Sequence, residues 1–321
     1  MSIQVSSTLG ALIQAIRLES REEVGALCRQ FLSECQEAHV LFPDFIEREL
    51  RYLRREVNPV TLEVQVRRLH DVLGNTEPDV TTMSVAWTVL EDGLDSVYEF
   101  VVAGRPTEAL DILEEVRRAW QRAHDYHVDL IYGLLDIAMR LLGEERIGPM
   151  WDEVMANFYE TRDAFDLTRR PWSESFDLLL EDAAASLRGH LSGPGRMGNV
   201  EMSEEEDRVV FRFDPCGSGG RTLRRDATED GKARMEPPFH FGVTTRPHDW
   251  AWRTSGVCLY CVHCCQLQER IPIQRLGFPL RVVDPPVWGG ADAKPSCTWT
   301  VYRDPSRVPE SAYERVGLTP R

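Results

Sequence analysis

Four thiols and one imidazole fall within the eight residues Cys258-Leu259-Tyr260-Cys261-Val262-His263-Cys264-Cys265. Such a density of soft ligands constrains the fold more than any other feature of the chain. In a cytosolic protein a metal ion explains it better than disulfides do. Cys258, Cys261 and Cys264 are spaced C-x2-C-x2-C. Zinc knuckles use C-x2-C steps, because a short turn sets two thiolates on adjacent tetrahedral corners. Iron–sulfur ferredoxins add a C-x3-C-P step, which is missing here. The expected ion is therefore zinc. An iron–sulfur cluster is the alternative, with Cys297 or Cys216 as a remote fourth ligand.

Cys261 and Cys264 make the best local pair. Cys216 is the expected remote ligand, because the alternating run Val209-Val210-Phe211-Arg212-Phe213 reads as a strand that delivers it. His263 is taken as the fourth ligand, with Cys258, Cys265, His240, Cys297 or a water left open. After Cys216 come Gly217, Ser218, Gly219, Gly220 and Arg221. Glycines that permit positive φ let successive amides point one way and form an anion nest. Arg221 would add a fork of donors. This segment is not a P-loop, since the Gly-Lys-Ser/Thr ending is missing. A thiolate nucleophile at Cys216 is the competing chemistry, and an ordinary glycine turn the plain one.

Proton transfer near a metal falls to Glu269, His240 or His248. For Glu269 an exposed helix charge is the simpler expectation, and for each lone histidine a loop position. Cys297, Trp299 and Val301 share one face of a strand, so Cys297 fits a core role equally well.

The first part of the chain reads differently. Ser20-Arg21-Glu22-Glu23 fits a capping box. Val24, Leu27, Cys28, Phe31, Leu32 and Cys35 then form one apolar stripe, which makes both cysteines core residues. Further helices are expected at 44–56, 61–73, 81–103, 107–142, 148–165 and 173–190. His124 and His127 lie three apart on one of them, and a wet face or a satisfied interior is the simplest account. His190 sits at the boundary with the cysteine-rich part.

Composition marks that boundary. Residues 200–321 hold 17 basic and 17 acidic residues, so the whole net charge of −15 lies before them. Six of the eight cysteines and 12 of the 19 prolines lie beyond 200, and Ser192-Gly193-Pro194-Gly195 supplies the chain break. The fold expected is α+β. A helical domain over 1–195 precedes a smaller Cys/His-rich α+β metal-binding domain over 196–321. The acidic balance excludes a nucleic-acid footprint. No apolar stretch is long enough to span a membrane, and no secretory signal is evident. A cytoplasmic protein is expected, with room for a homo-oligomer. Only two of the 37 basic residues are lysine, a bias that GC-rich bacterial codons produce.

Gly277 to Val283 followed by Cys297-Thr298-Trp299-Thr300-Val301 resembles the closing strands of 4-vinyl-reductase and aminothiazoline-carboxylate-hydrolase-like domains. Pro215 to Arg221 and Tyr260-Cys261-Val262-His263-Cys264 resemble signatures of an uncharacterised bacterial group. The resemblance implies a small-molecule-binding α+β module with thiol ligands. Together these readings predict a zinc-dependent hydrolase or lyase acting on a small anionic metabolite, in bacterial specialised metabolism. The competing expectations are a non-catalytic protein with a structural zinc that binds a ligand or partner, and a thiol-based redox or metal sensor.

Overall fold

The apolar stripes of the first half form seven helices. They are α1 (Thr8–Arg17), α2 (Arg21–Glu56), α3 (Pro59–Val72), α4 (Met83–Val102), α5 (Pro106–Leu142), α6 (Ile147–Val154) and α7 (Trp172–Gly189). The computed structural model describes residues 2–5, 7–74, 83–158, 160–289 and 296–320. The expected helix starts at residues 81 and 82 therefore lie outside the described residues.

Two helices differ from expectation. Pro43 does not separate two helices, because α2 runs through it. A proline inside a helix costs about 3 kcal/mol, but Phe42 and Phe45 on either side are both buried and stay in phase with Cys35 and Phe31. Packing of the continuous stripe outweighs the lost hydrogen bond. Ser20 is the N-cap of α2, yet its side chain makes no capping bond. The helix expected over 148–165 ends at Val154 and continues as 3-10 turns, Ala156–Phe158 and Glu160–Phe165.

α5 is the pillar of the molecule. Every residue from His127 to Ala138 is buried, so this half is enclosed on all sides. It packs on α2, α3 and α4, and it also meets the loops of the second half. Tyr132 Oη donates to the Gly242 carbonyl at 2.8 Å, and Gly242 N donates to Asp136 Oδ1 at 2.9 Å.

The second half is built on an antiparallel sheet ordered β1-β2-β3-β5-β4. The strands are β1 (Ser2–Val5), β2 (Val200–Glu204), β3 (Arg208–Phe213), β4 (Val282–Asp284) and β5 (Cys297–Tyr302). Val209, Phe211 and Phe213 are buried on β3, and Cys297, Trp299 and Val301 on β5, as period-two alternation requires. The register pairs Phe213 with Cys297. The end of β3 that leads to Cys216 therefore lies beside the start of β5. The fold is α+β: a mostly helical first part, then a small antiparallel sheet with helices. One buried cluster extends from Leu9 to Val316 and includes residues on both sides of position 195. Among the described residues, no helix is long and apolar enough to cross a membrane.

Candidate functional site

β3 ends at Phe213, and the chain turns through Cys216 into a one-turn helix, α8 (Gly219–Thr222). Three glycines stand here for close approach rather than for positive φ. Left-handed φ values fall at other glycines, such as Gly193 and Gly195. A Cβ at Gly217 would lie 1.7 Å from the His190 carbonyl oxygen. One at Gly219 would lie 2.5 Å from Cys261 Sγ, and one at Gly220 2.8 Å from Cys216 Cβ. The glycines thus let the turn at 216 press against both the end of α7 and the segment at 261.

That segment is helical but irregular. Val262–Cys264 is a single α turn, Cys265–Arg270 is π-helical, and Ile271–Leu276 is α-helical. π turns widen a helix and are frequent at functional sites. Here the widened stretch brings Leu267 and Gln268 to the same space as Cys261 and Cys264.

Between these elements lies a cavity of about 80 Å³. Its wall includes Cys216, Cys261, His263, Cys264 and Cys297. Phe42 and Phe45 of α2 and His190 after α7 close the helical side. The four sequence-assigned ligands, Cys216, Cys261, His263 and Cys264, thus come to one wall from two distant segments. Cys258 lies behind it and shares a hydrogen bond with Cys261. Cys265 faces away, with its sulfur 3.6 Å from the Asp249 carbonyl. All eight cysteines are free thiols. Among the described residues, no three His, Cys, Asp or Glu side chains are already spaced to hold a metal ion.

The thiols are mostly pushed toward their neutral form. Burial raises Cys216, although the backbone amides of Gly220 and Ser218 bond its sulfur and pull the other way. Burial also raises Cys264. Cys261 is raised by the bond it shares with Cys258 and by burial. Burial works to raise Cys258 as well, but bonds with Cys261 and Thr222 leave it lowered. These are the directions expected of thiols in a dry site, where ionisation is costly without a counter-charge.

Two imidazoles reach the wall with defined tautomers. His263 Nδ1 donates to the Tyr260 carbonyl at 2.6 Å. Burial lowers this ring to about 4, so it is neutral and its Nε2 carries a lone pair. That nitrogen lies 3.3 Å from Cys264 Sγ and accepts from the thiol. His190 is the end of a longer chain. Burial works to raise the Asp125 carboxyl, but Arg196 and Arg221 hold it well below the usual carboxylate range. Being ionised, Asp125 only accepts. His124 Nδ1 therefore donates to Asp125 Oδ1 at 2.9 Å, and its Nε2 accepts from His190 Nδ1 at 2.8 Å. Burial keeps both rings neutral. The relay leaves His190 Nε2 unprotonated at a cavity-lining residue, which is the form a general base requires.

Of the other sequence candidates, Ser218, Gly219 and Gly220 also line the cavity, and the rest lie off its wall. Arg221 is fully buried, and its Nη2 donates to Asp129 Oδ1 at 2.7 Å and to the Asp125 carbonyl. Several amides of the nest expected at 217–221 are engaged within the protein. Gly217 N donates to Ser192 Oγ, and the amides of Ser218 and Gly220 face Cys216. Glu269 is fully buried rather than exposed. Its Oε1 accepts from Trp252 Nε1, Val283 N and Arg315 Nη2, so it ties the π-helical stretch to β4 and the C-terminal segment. His248 bonds Glu144 Oε1 at 3.0 Å and stacks on Trp250. His240 is exposed. None of Glu269, His240 and His248 lines the cavity. His127 donates to the Ala123 carbonyl, a satisfied interior position.

Sequence reasoning missed Arg281, Gln268 and Trp299, all on the cavity wall. A signal existed for Arg281. It is the single charge in the apolar run Phe278-Pro279-Leu280-Arg281-Val282-Val283, and a charge so placed is buried only with a purpose. No protein-family model, curated protein or solved structure matches this chain.

Proposed function

We propose that the chain is a cytoplasmic, metal-dependent enzyme of the hydrolase or lyase class that acts on a small anionic molecule. The zinc ligands are drawn from Cys216, Cys261, His263 and Cys264, three of which would leave the fourth position open. One observation carries the reading: these four side chains, chosen from the sequence, line a single small cavity. Bound zinc would polarise the substrate or lower the pKa of a bound water. His190 Nε2, held unprotonated by His124, takes the proton. Phe42, Phe45 and Leu41 give the same space an apolar side. Cytoplasmic residence is supported by eight free thiols, and a net charge of −15 speaks against a nucleic-acid partner.

Elemental analysis of the purified chain tests this reading. Stoichiometric zinc is expected, and Cys261→Ser should lose it. A Cys261→Ser protein with full zinc content and an unchanged melting temperature would remove Cys261 from the ligand set. Iron with acid-labile sulfide would identify a cluster instead. A shell closed by four protein ligands would make the metal a scaffold.

A second reading, a thiol-based redox or metal sensor, is favoured by the His263–Cys264 pair at 3.3 Å and by the lack of a preset ligand group among the described residues. Zinc-free protein whose Cys264 is oxidised reversibly by peroxide would establish it.

A further inference from the structure

The cavity wall carries polar atoms for which the described residues supply no partner. Arg281 is 2% exposed, and Gln268 and Trp299 are each 6% exposed. All three line the cavity. Arg281 Nε, Gln268 Oε1 and Trp299 Nε1 are buried with no hydrogen-bond partner among the described residues. Leaving one such atom unpaired costs about 1–3 kcal/mol. Three on one wall ask for a guest with complementary groups.

Their chemistry defines that guest. Arg281 Nε and Trp299 Nε1 are N–H donors, and the first belongs to a cation. Gln268 Oε1 is an acceptor. The guanidinium is fixed in place: its Nη2 donates to Asp182 Oδ2 at 2.6 Å, and it lies 4.6 Å from the centre of the Trp299 ring. Asp182 therefore occupies Nη2 and leaves Nε to the cavity. The charged side chains on the wall are Arg281, Asp182 and Glu37. Both acids are exposed, so the arginine is the inner charge. That balance accepts one negative charge directed inward and repels a dianion. A volume of about 80 Å³ admits only a few heavy atoms.

We propose that the cavity binds a small monocarboxylate carrying its own hydrogen-bond donor. The carboxylate sits on Arg281 Nε and Trp299 Nε1, and the donor meets Gln268 Oε1. This names the substrate class of the site proposed above and rests on that reading for what happens to the guest once bound. The anion is thus held by the strand segment at 281–299 rather than by the glycine turn at 217–221. Burial next to Arg281 also places the guest beside Cys264, whose thiol feels the same positive charge.

The test follows the Trp299 indole N–H signal in ¹⁵N-labelled full-length protein, assigned by its loss in Trp299→Phe. The probes are glycolate, glycine, acetate and inorganic phosphate. Glycolate or glycine should move the signal saturably, and which of the two binds tighter tells whether a hydroxyl or an ammonium is preferred. Acetate lacks the donor and should bind about tenfold more weakly, the value of one charge-independent hydrogen bond. Phosphate, held above its second ionisation so that it is a dianion, should leave the signal in place. Gln268→Met removes the acceptor without breaking a side-chain hydrogen bond to the described protein. It should reduce glycolate or glycine affinity about tenfold and leave acetate unchanged. Arg281→Gln should abolish the response. The proposal is overturned if no carboxylate moves Trp299, if phosphate binds more tightly than the carboxylates, or if Gln268→Met binds all probes as the parent does. Metal content measured on the same sample separates the two readings. Saturable binding to zinc-free protein keeps the carboxylate site and removes the metal, whereas zinc-loaded protein with a silent Trp299 does the reverse.

Discussion

At the scale of single residues, the cavity depends on side chains held by partners from distant segments, as Arg281 is by Asp182. Thiol spacing pointed to Cys261 and Cys264, the strand before it to Cys216, and its place between them to His263, and all four line one cavity. Spacing could not show that Arg221 would be consumed by Asp125 and Asp129, because those partners lie about a hundred residues away. Nor could it show that His124 would align His190 across a helix boundary. Buried ionisable groups also carry the pH response. Glu49 of α2 is fully buried, and neither carboxyl oxygen has a partner among the described residues. Burial alone raises it well above its ordinary value of 4.5. The folded chain must keep a proton that the unfolded chain releases above 4.5, so this residue costs stability as pH rises, by up to about 1.4 kcal/mol per unit. Glu49→Met should therefore raise the urea midpoint most at neutral pH, with the gain shrinking as pH falls toward 4.5. A gain independent of pH would mean that the carboxyl is ionised in the folded protein.

At the scale of elements, helix existence was readable from period alone. Cys28 and Cys35 are core residues of α2, where their stripe placed them. α5 and α7 occupy the spans that their apolar spacing marked. Boundaries that depend on neighbours were not readable. Pro43 is tolerated because α2 is clamped by packing along its length, and the π-helical stretch at 265–270 has no local sequence mark. The crossing of α7 over α2 gives a test in which propensity and packing disagree. Gly189 is the last residue of α7, and a Cβ there would lie 1.9 Å from the Glu34 carbonyl oxygen. Helix propensity favours alanine over glycine by about 1 kcal/mol. The clash is with backbone and cannot be relieved by a rotamer change, so overpacking by about 1–3 kcal/mol prevails. Gly189→Ala should lower the thermal midpoint, and an unchanged or higher midpoint would show that the helices separate freely at this crossing.

At the scale of the whole molecule, composition divides the chain near 195 while burial does not. Arg221 and Arg234 of the second half neutralise Asp129 of α5. Tyr132 and Asp136 of α5 hold the Gly242 loop, and β1 pairs with β2. A shift in charge and cysteine content reports surface and chemistry, and buried contacts between distant segments leave no compositional trace. Residues 196–321 expressed alone would leave the buried Arg221 without Asp125 and Asp129 and Arg234 without Asp129, and an unpaired buried charge costs several kcal/mol. That fragment should lack a cooperative melt and dispersed amide signals. The full chain should unfold in a single transition, with tryptophan fluorescence and circular dichroism coincident. A fragment that folds cooperatively by itself would refute this.

The position of the cavity also bears on how the protein is made. Its wall draws on Phe42, His190, Cys216, Cys264 and Trp299, so no early stretch of nascent polypeptide contains the whole wall. The reactive sulfurs stay unsheltered on the ribosome until the β5 segment has emerged. Oxidative stress during translation would then damage new copies of the protein while sparing those already folded.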